Sequence, residues 1–460
     1  MNSRGSPPLR PAQILARAAA TVEYDLLPKD VVERARLLII DTLAAIAGGL
    51  ADPEYSEFVM SSAIEPGQCT IPGHPFGVPM ATALQVNCGA TTVLQIQDGH
   101  RVARGHPASA IIPGLIALAE RDDLDGLAVI AALVAGYEAC VRVGIAMGGL
   151  LDALHDAGNW GTIGAAVATL HLMGCRDPEI YTHAIESAAT IALFPWSRTV
   201  TGGATSHHLF MGIGATTGYQ AAIGALAGMT GEPGALEQFL LPRAGKAPDP
   251  SALTRNIDPA KGFTEFELLT GYFKWHTVCA HWSTTADAMA ALVAQHGPLH
   301  DRAKSVEVAI YSYALHYNVA DPSSDLAARF SGQAVVAAML ENGVIAKDGL
   351  SAKVRATPEF QERMSRVTVV NDPALDAGYP AGRPVRITVT LGDGSTLVQE
   401  NSAPRGDGAA GLTRAEVVEK AKELFSWQVA DSDATIAALE AYLSGEKIWP
   451  AIATLRQTKR

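Results

Sequence analysis

The chain has 460 residues, 48% of them hydrophobic and 18% charged, with a formal net charge of −12. This is a globular composition on a chain too long for one small core, so two domains are expected. The acidic balance argues against a general nucleic-acid or anionic-membrane binder, and a site for an acidic small molecule must gather its cations at one spot.

The opening MNSRGSPPLRPAQ lacks the apolar core of a secretory leader. Apolar periodicity then predicts helices over Ile14–Val22, Val31–Ala47, Ala81–Gln95, Ser109–Glu120, Leu127–Ala146, Gly161–Met173 and Glu179–Ala192. Gly48-Gly49, Pro66-Gly67, Pro72-Gly73 and Gly174 punctuate them. Leu127–Leu150 and Leu209–Thr230 are long enough to raise the question of a membrane span. Glu138 and Arg142 in the first, and glycines, threonines and Gln220 in the second, read instead as buried helices of a soluble protein.

The texture changes near Gly271. Val306–Tyr313 alternates like a half-buried strand, and Asp325–Glu341 reads as one apolar helix closed by Asn342-Gly343. Val367–Val370 reads as a second strand, and Val385–Leu391, Gly-Asp-Gly and Ser395–Gln399 as a hairpin. A capping box at Thr413–Glu416 restarts a helix, and the tail is helical through Leu455. The expected architecture is a multi-domain α and β protein. A large all-α domain spans 1–270, a smaller α/β lid 271–404, and helices 405–460 return to the first domain through the crossover Pro404–Gly411. Five cysteines, Cys69, Cys88, Cys140, Cys175 and Cys279, form no CxxC pair, which fits free thiols in a reducing cytoplasm.

His276, Cys279 and His281 in KWHTVCAHW match neither HExxH nor CxxC, so no metal is expected. No GxGxxG follows a clear strand, and GxxxxGK[ST] and GxSxG are missing. What remains is acid–base chemistry by histidine, whose charge changes near working pH. In QDGHRVARGHPASAIIPG, His100 and His106 flank Arg101 and Arg104. His155 opens HDAGNWGTIGAA, and His207-His208 precede LFMGIGATTG. Each segment runs into an Ala/Gly-rich helix, whose free N–H groups and dipole favour anions. A single histidine is by default a surface or capping group; three such segments together point to a site.

These segments resemble the MmgE/PrpD family, which includes 2-methylcitrate dehydratase, cis-aconitate decarboxylase and iminodisuccinate epimerase. The likeness runs nearly end to end, through DTLAAIAG at Asp41, the two histidine motifs, GATSHHLFMGIGATTG, YFKWHTVCAHWSTTADA and APRGDGAAGLTRAEVVEK. It is nearest to the branch with a DEGN-like motif, which contains the epimerase. The resemblance implies a helical domain with an α/β lid, a homodimer, no cofactor, and an active site in the interdomain cleft. It carries family positions onto His106, His155, Asp98 and Lys274; the need to stabilise a carbanion beside a carboxylate adds Cys279 to His106, His155 and Asp98 as catalytic candidates, and makes Arg101, Arg104, His207, Lys274 and His100 candidates to grip substrate. His155 is expected to transfer a proton with His106 as its partner and Asp98 orienting an imidazole; Cys279 would deliver a proton if nearby cations lower its pKa. Gln95 and Gly99 stand where decarboxylase-like members have aspartate and threonine. His207 stands where lysine or arginine is usual, Cys279 where decarboxylases have histidine, Ala334 where tyrosine is frequent, and His100 where the DEGN branch has asparagine. The expected activity is that of a cofactor-independent, dehydratase-like lyase acting on a small di- or tricarboxylate. An epimerase of a small dicarboxylate is the second reading and a non-catalytic carboxylate-binding protein the third.

Overall fold

The computed structural model describes residues 8–408 and 411–459, so Ala409 and Ala410 of the Pro404–Gly411 crossover lie outside the described residues, as does most of the segment before Pro11. The first half is helical: α1 (Pro11–Ala20), α2 (Lys29–Leu50), α3 (Pro53–Ser62), α4 (Met80–Val93), α5 (Pro107–Asp122), α6 (Gly126–Ala146), α7 (Gly161–Leu172), α8 (Pro178–Ile191), a short α9 (Arg198–Thr201) and α10 (His207–Leu226). After the single turn α11 (Leu241–Ala244) comes a minimal antiparallel pair, β1 (Ile257–Asp258) with β2 (Gly262–Phe263). The lid follows as α12 (Ala280–His296), β3 (Ala303–Ile310), α13 (Asp325–Ala328), α14 (Gly332–Met339), α15 (Ala352–Arg355), α16 (Pro358–Ser365), β4 (Val367–Asn371), β5 (Val385–Leu391) and β6 (Thr396–Asn401). Helices α17 (Arg414–Ser426), α18 (Ser432–Tyr442) and α19 (Trp449–Leu455) close the chain.

Helix starts follow local chemistry. Pro107 and Pro178 occupy first-turn positions, where a missing N–H costs nothing, and the Asp125, Asp177 and Asp431 side chains accept backbone N–H bonds at their N-caps. Thr413 and Glu416 form the anticipated capping box. Helix α6 is the one described helix long and apolar enough to cross a membrane, and 89% of its apolar window is buried within the protein.

Two apolar cores separate the chain. One joins α1–α8 and α10 to residues from Leu412 to Leu455, so the C-terminal helices complete the helical domain. The other lies between α12, α14 and the four-stranded sheet and is built from residues between Val278 and Leu391 together with Val200. The sheet order is β4-β3-β5-β6, with β3 parallel to β4 and antiparallel to β5. β5 alternates buried and half-buried positions, as a sheet with one covered face requires.

Two elements depart from the sequence expectation. The strand expected over Val306–Tyr313 ends at Ile310, and Ser312–Tyr317 turns helical. Asp376 accepts both the backbone N–H and the hydroxyl of Ser312, which pulls the chain out of the sheet. The single helix expected over Asp325–Glu341 is two, α13 and α14. At the break Arg329 donates to Thr277 O and pairs with Asp52 of the helical domain, while the Ser331 hydroxyl accepts from Ala334 N–H to cap α14. A contact between domains and a new cap together outweigh helical continuity.

The return of the tail rests on a buried charge. Lys420 of α17 is 3% exposed, pairs with the fully buried Asp41 of α2, and donates to Lys274 O at 2.7 Å. Lys420→Met leaves Asp41 buried and alone and is expected to lower the unfolding free energy by about 3–5 kcal/mol. The double variant Asp41→Leu/Lys420→Met is expected to lose much less, and urea unfolding of the full chain compares them.

Candidate active site

A cavity of about 430 Å³ lies between the domains. Its helical-domain wall comes from the loop between α4 and α5 and the loop before α7; its lid wall comes from residues 272–281, 313–317 and 379–383. Gln95 and Arg104 adopt positive φ (55° and 56°), an uncommon conformation for side chains of this kind, held by the surrounding structure. Gly105 is required by packing: a Cβ there would stand 2.4 Å from the Trp160 ring and 2.5 Å from Asp156 Oδ2. Gly99 pairs with Tyr272 backbone to backbone, and its Cβ position is taken by the Tyr272 ring at 2.3 Å. A threonine at position 99 would displace that ring.

Of the residues expected from sequence, His106, His155, Lys274, Arg104, Arg101, His100 and Cys279 all line this cavity. His106 precedes α5. Its backbone N–H and its Nδ1 both lie 3.0 Å from Asp156 Oδ2, so the ring donates from Nδ1 and leaves Nε2 without a proton when neutral. His155 is bonded the other way: its Nδ1 accepts from Ala157 N–H at 3.2 Å, which puts the neutral ring's proton on Nε2. Asp156 Oδ1 is 3.3 Å from the same Nδ1. The two imidazoles are nearly parallel with centroids 6.5 Å apart. Burial pushes Asp156 up, but the attraction of His106 and His155 when either is protonated, with the two bonds from His106, prevails and holds it well below the ordinary carboxylate range. Burial lowers His155, against the pull of Asp156, so its neutral form is favoured. His207 does not face the cavity as a cation: it is 1% exposed, stacks edge-on against His155 at 5.0 Å, and burial holds it well below the usual imidazole value.

Three other expectations need correction. Asp98 orients neither imidazole: its Oδ2 accepts from Ala108 N–H at the start of α5, and Asp156 holds His106 instead. His100 is no carboxylate grip, because Ala103 N–H donates to its Nδ1 and its Nε2 bonds Thr270 Oγ1 at 2.7 Å. Burial lowers it to about 4, so it organises the loop as a neutral ring. Cys279 sits at the N-cap of α12, yet burial pushes its thiol up despite Lys274, Arg383 and an N–H from His281. The neutral thiol is therefore the stable form, opposite to the activated cysteine expected.

The cations divide into engaged and free. Arg101 and Arg383 both pair with Asp407, at 2.9 and 2.8 Å. Lys274 is 2% exposed and uses one N–H on Gln95 O at 2.8 Å; burial lowers it to about 8. Arg104 has no carboxylate partner among the described residues, and its guanidinium lies 5.8 Å over the Tyr313 ring. Asp156, Arg383, His281 and the lid tyrosines were not singled out from sequence as site residues. Asp156 adjoins His155 in the motif already noted, so an acid beside a histidine was the available signal; Tyr313 sat in a segment read as strand, and Tyr317 and Tyr379 lay outside any element read from sequence.

Asp98 is fully buried, and burial raises its carboxyl from 3.8 to about 7. Between those values the folded chain holds this proton and the unfolded chain has lost it. The group's stabilising contribution is therefore complete below pH ~4 and lost as pH rises through 7. Asp98→Asn is expected to flatten that fall, which reaches about 1.4 kcal/mol per pH unit inside the window, in urea titrations run from pH 4 to 8.

Comparison with known proteins shows the family of the chain. The MmgE/PrpD N-terminal domain model matches residues 13–239, and the MmgE/PrpD C-terminal domain model matches residues 276–444. A cis-aconitate decarboxylase from Aspergillus terreus is 25% identical over 417 residues, covering 84% of each chain. A cis-aconitate decarboxylase-like protein, oryM, from Aspergillus oryzae is 31% identical over 180 residues, 36% of each chain. With both domain models matched in order across most of its length, the chain belongs to the MmgE/PrpD family.

Proposed function

We propose that the chain is a cofactor-independent lyase that removes a proton next to a carboxylate on a small di- or tricarboxylic acid. The carrying observation is the pair of oppositely bonded imidazoles on Asp156, facing one interdomain cavity with Lys274 and Arg104. Family membership and the decarboxylase relatives favour a lyase. A carbanion beside a carboxylate is poorly stabilised by water, so fixed cations must hold the carboxylate while a neutral base accepts the proton.

In this reading His106 is the base. Its Nδ1–H donates to Asp156, which fixes the ring and stabilises the imidazolium that forms when Nε2 takes the substrate proton. His155 presents Nε2–H and acts as the proton donor, either to a leaving β-hydroxyl or to the opposite face of the carbanion. The first outcome is dehydration and the second epimerisation; the DEGN-like motif at Asp98 keeps the second as the alternative. In this reading His106 moves a proton itself as well as serving as the partner of His155. Lys274 and Arg104 hold carboxylates; Arg383 and Arg101 fix the lid against the helical domain through Asp407.

Incubation of the full chain in D₂O with candidate hydroxy-diacids tests this. Wild type is expected to form an alkene or to exchange the α-hydrogen, and His106→Gln or Asp156→Asn to slow this about 10²–10⁴-fold. Retention of the full rate by both variants removes the assignment. A non-catalytic binding protein would give neither alkene nor exchange.

Lys274 is charged below about pH 8 and neutral above it. Affinity for a competing diacid is therefore expected to weaken as pH rises through 8, and Lys274→Met to abolish that dependence. Calorimetry at pH 7 and 9 measures both.

A further inference from the structure

We infer that the acid taken by this cleft carries a flat aromatic arm that lies against the lid; this rests on the carboxylate reading above. The supply of cations limits the charge of the ligand. Of the basic groups lining the cavity, Arg101 and Arg383 are held by Asp407, and Lys246 pairs with Asp152 at 3.0 Å. Arg198 is exposed and sits over Trp196 at 5.6 Å. Lys274 and Arg104 remain without a carboxylate partner among the described residues, which suits two carboxylates, while Arg101 and Arg383 share the one charge of Asp407.

The wall that faces Arg104 is largely aromatic. Tyr313 lies under the Arg104 guanidinium and stacks on Tyr379 at 5.0 Å and 18°. His281 stacks on Tyr317 at 4.6 Å and 21°, with its Nδ1 bonded to the Tyr311 hydroxyl. Phe330, from the break between α13 and α14, joins the same lining. An acid gripped by Arg104 therefore starts at this wall, and whatever extends from it meets ring faces and edges. A further carboxylate there would be stripped of water with only Arg383, already paired with Asp407, as counter-charge. A flat ring instead gains offset or edge contacts with the stacked tyrosines. The cavity, about 430 Å³, falls among pockets of roughly 300–1,000 Å³ that enclose ligands larger than a four-carbon diacid.

Calorimetry at pH 7 with the full chain, titrating succinate, phenylsuccinate and tricarballylate, tests the inference. Phenylsuccinate is expected to bind at least ten-fold more tightly than succinate, and tricarballylate no more tightly than succinate. Tyr317→Ala should bring the phenylsuccinate-to-succinate ratio towards one, while Tyr317→Phe, which keeps the ring, should retain it. Equal affinity for succinate and phenylsuccinate in the wild type, or tightest binding of tricarballylate, overturns the aromatic arm and leaves the carboxylate site standing. Failure of all three acids to bind overturns both.

Discussion

Lys420 and Asp41 bring four parts of the chain to one buried point. The ammonium of a C-terminal helix meets the carboxylate of α2 and donates to the carbonyl of Lys274, where the chain enters the lid. Lys274 in turn reaches back to Gln95 O at the end of α4. A charge pair taken out of water is stable only with close geometry and further hydrogen bonds. The backbone around it is thereby fixed, and that backbone carries Lys274 into the cleft. The lid is an insertion between two segments of one helical core, and this pair marks where it is inserted.

The cleft works by contrast between carboxylates in similar burial. Asp98 and Asp156 are both buried, yet one is raised to about 7 and the other held far below its ordinary value. The difference lies in partners. Asp98 receives one backbone N–H, while Asp156 receives two bonds from His106 and lies against His155. A buried acid with no cation in contact keeps its proton; a buried acid between two imidazoles loses it and fixes the tautomer of the one that donates to it. Asp407 plays a corresponding part for the arginines, joining Arg101 of the helical domain to Arg383 of the lid. The charge left facing the cavity is smaller than the number of basic residues in its lining suggests.

Substitutions at family positions acquire physical reasons in the same geometry. Gly99 is small because the Tyr272 ring fills the place of a side chain. His207 is a neutral ring packed against His155. Cys279, in the lid, is a thiol whose proton burial retains. The helical side thus holds a neutral imidazole where the resemblance anticipates a cation, while the lid presents stacked tyrosines opposite.

Much of this was written locally. The helices of the first domain, the capping box at Thr413, the hairpin around Gly392–Gly394 and the break in texture near Gly271 follow from periodicity and turn chemistry, which act over a few residues. His106 and His155 could be picked out because their motifs put polar residues ahead of apolar helices, and Lys274 because its segment resembles one of the family's. What a side chain does depended on neighbours distant in sequence. Asp156 rather than Asp98 holds His106 across 50 residues, and Asp407 engages Arg101 across 306. Asp52 breaks a lid helix by taking Arg329. Protonation, tautomer and counter-charge are set by burial and by which group lies within about 3 Å. Those conditions come into being when the two domains close on each other, so only part of the site was readable from sequence, and the roles of its residues were fixed by the tertiary fold.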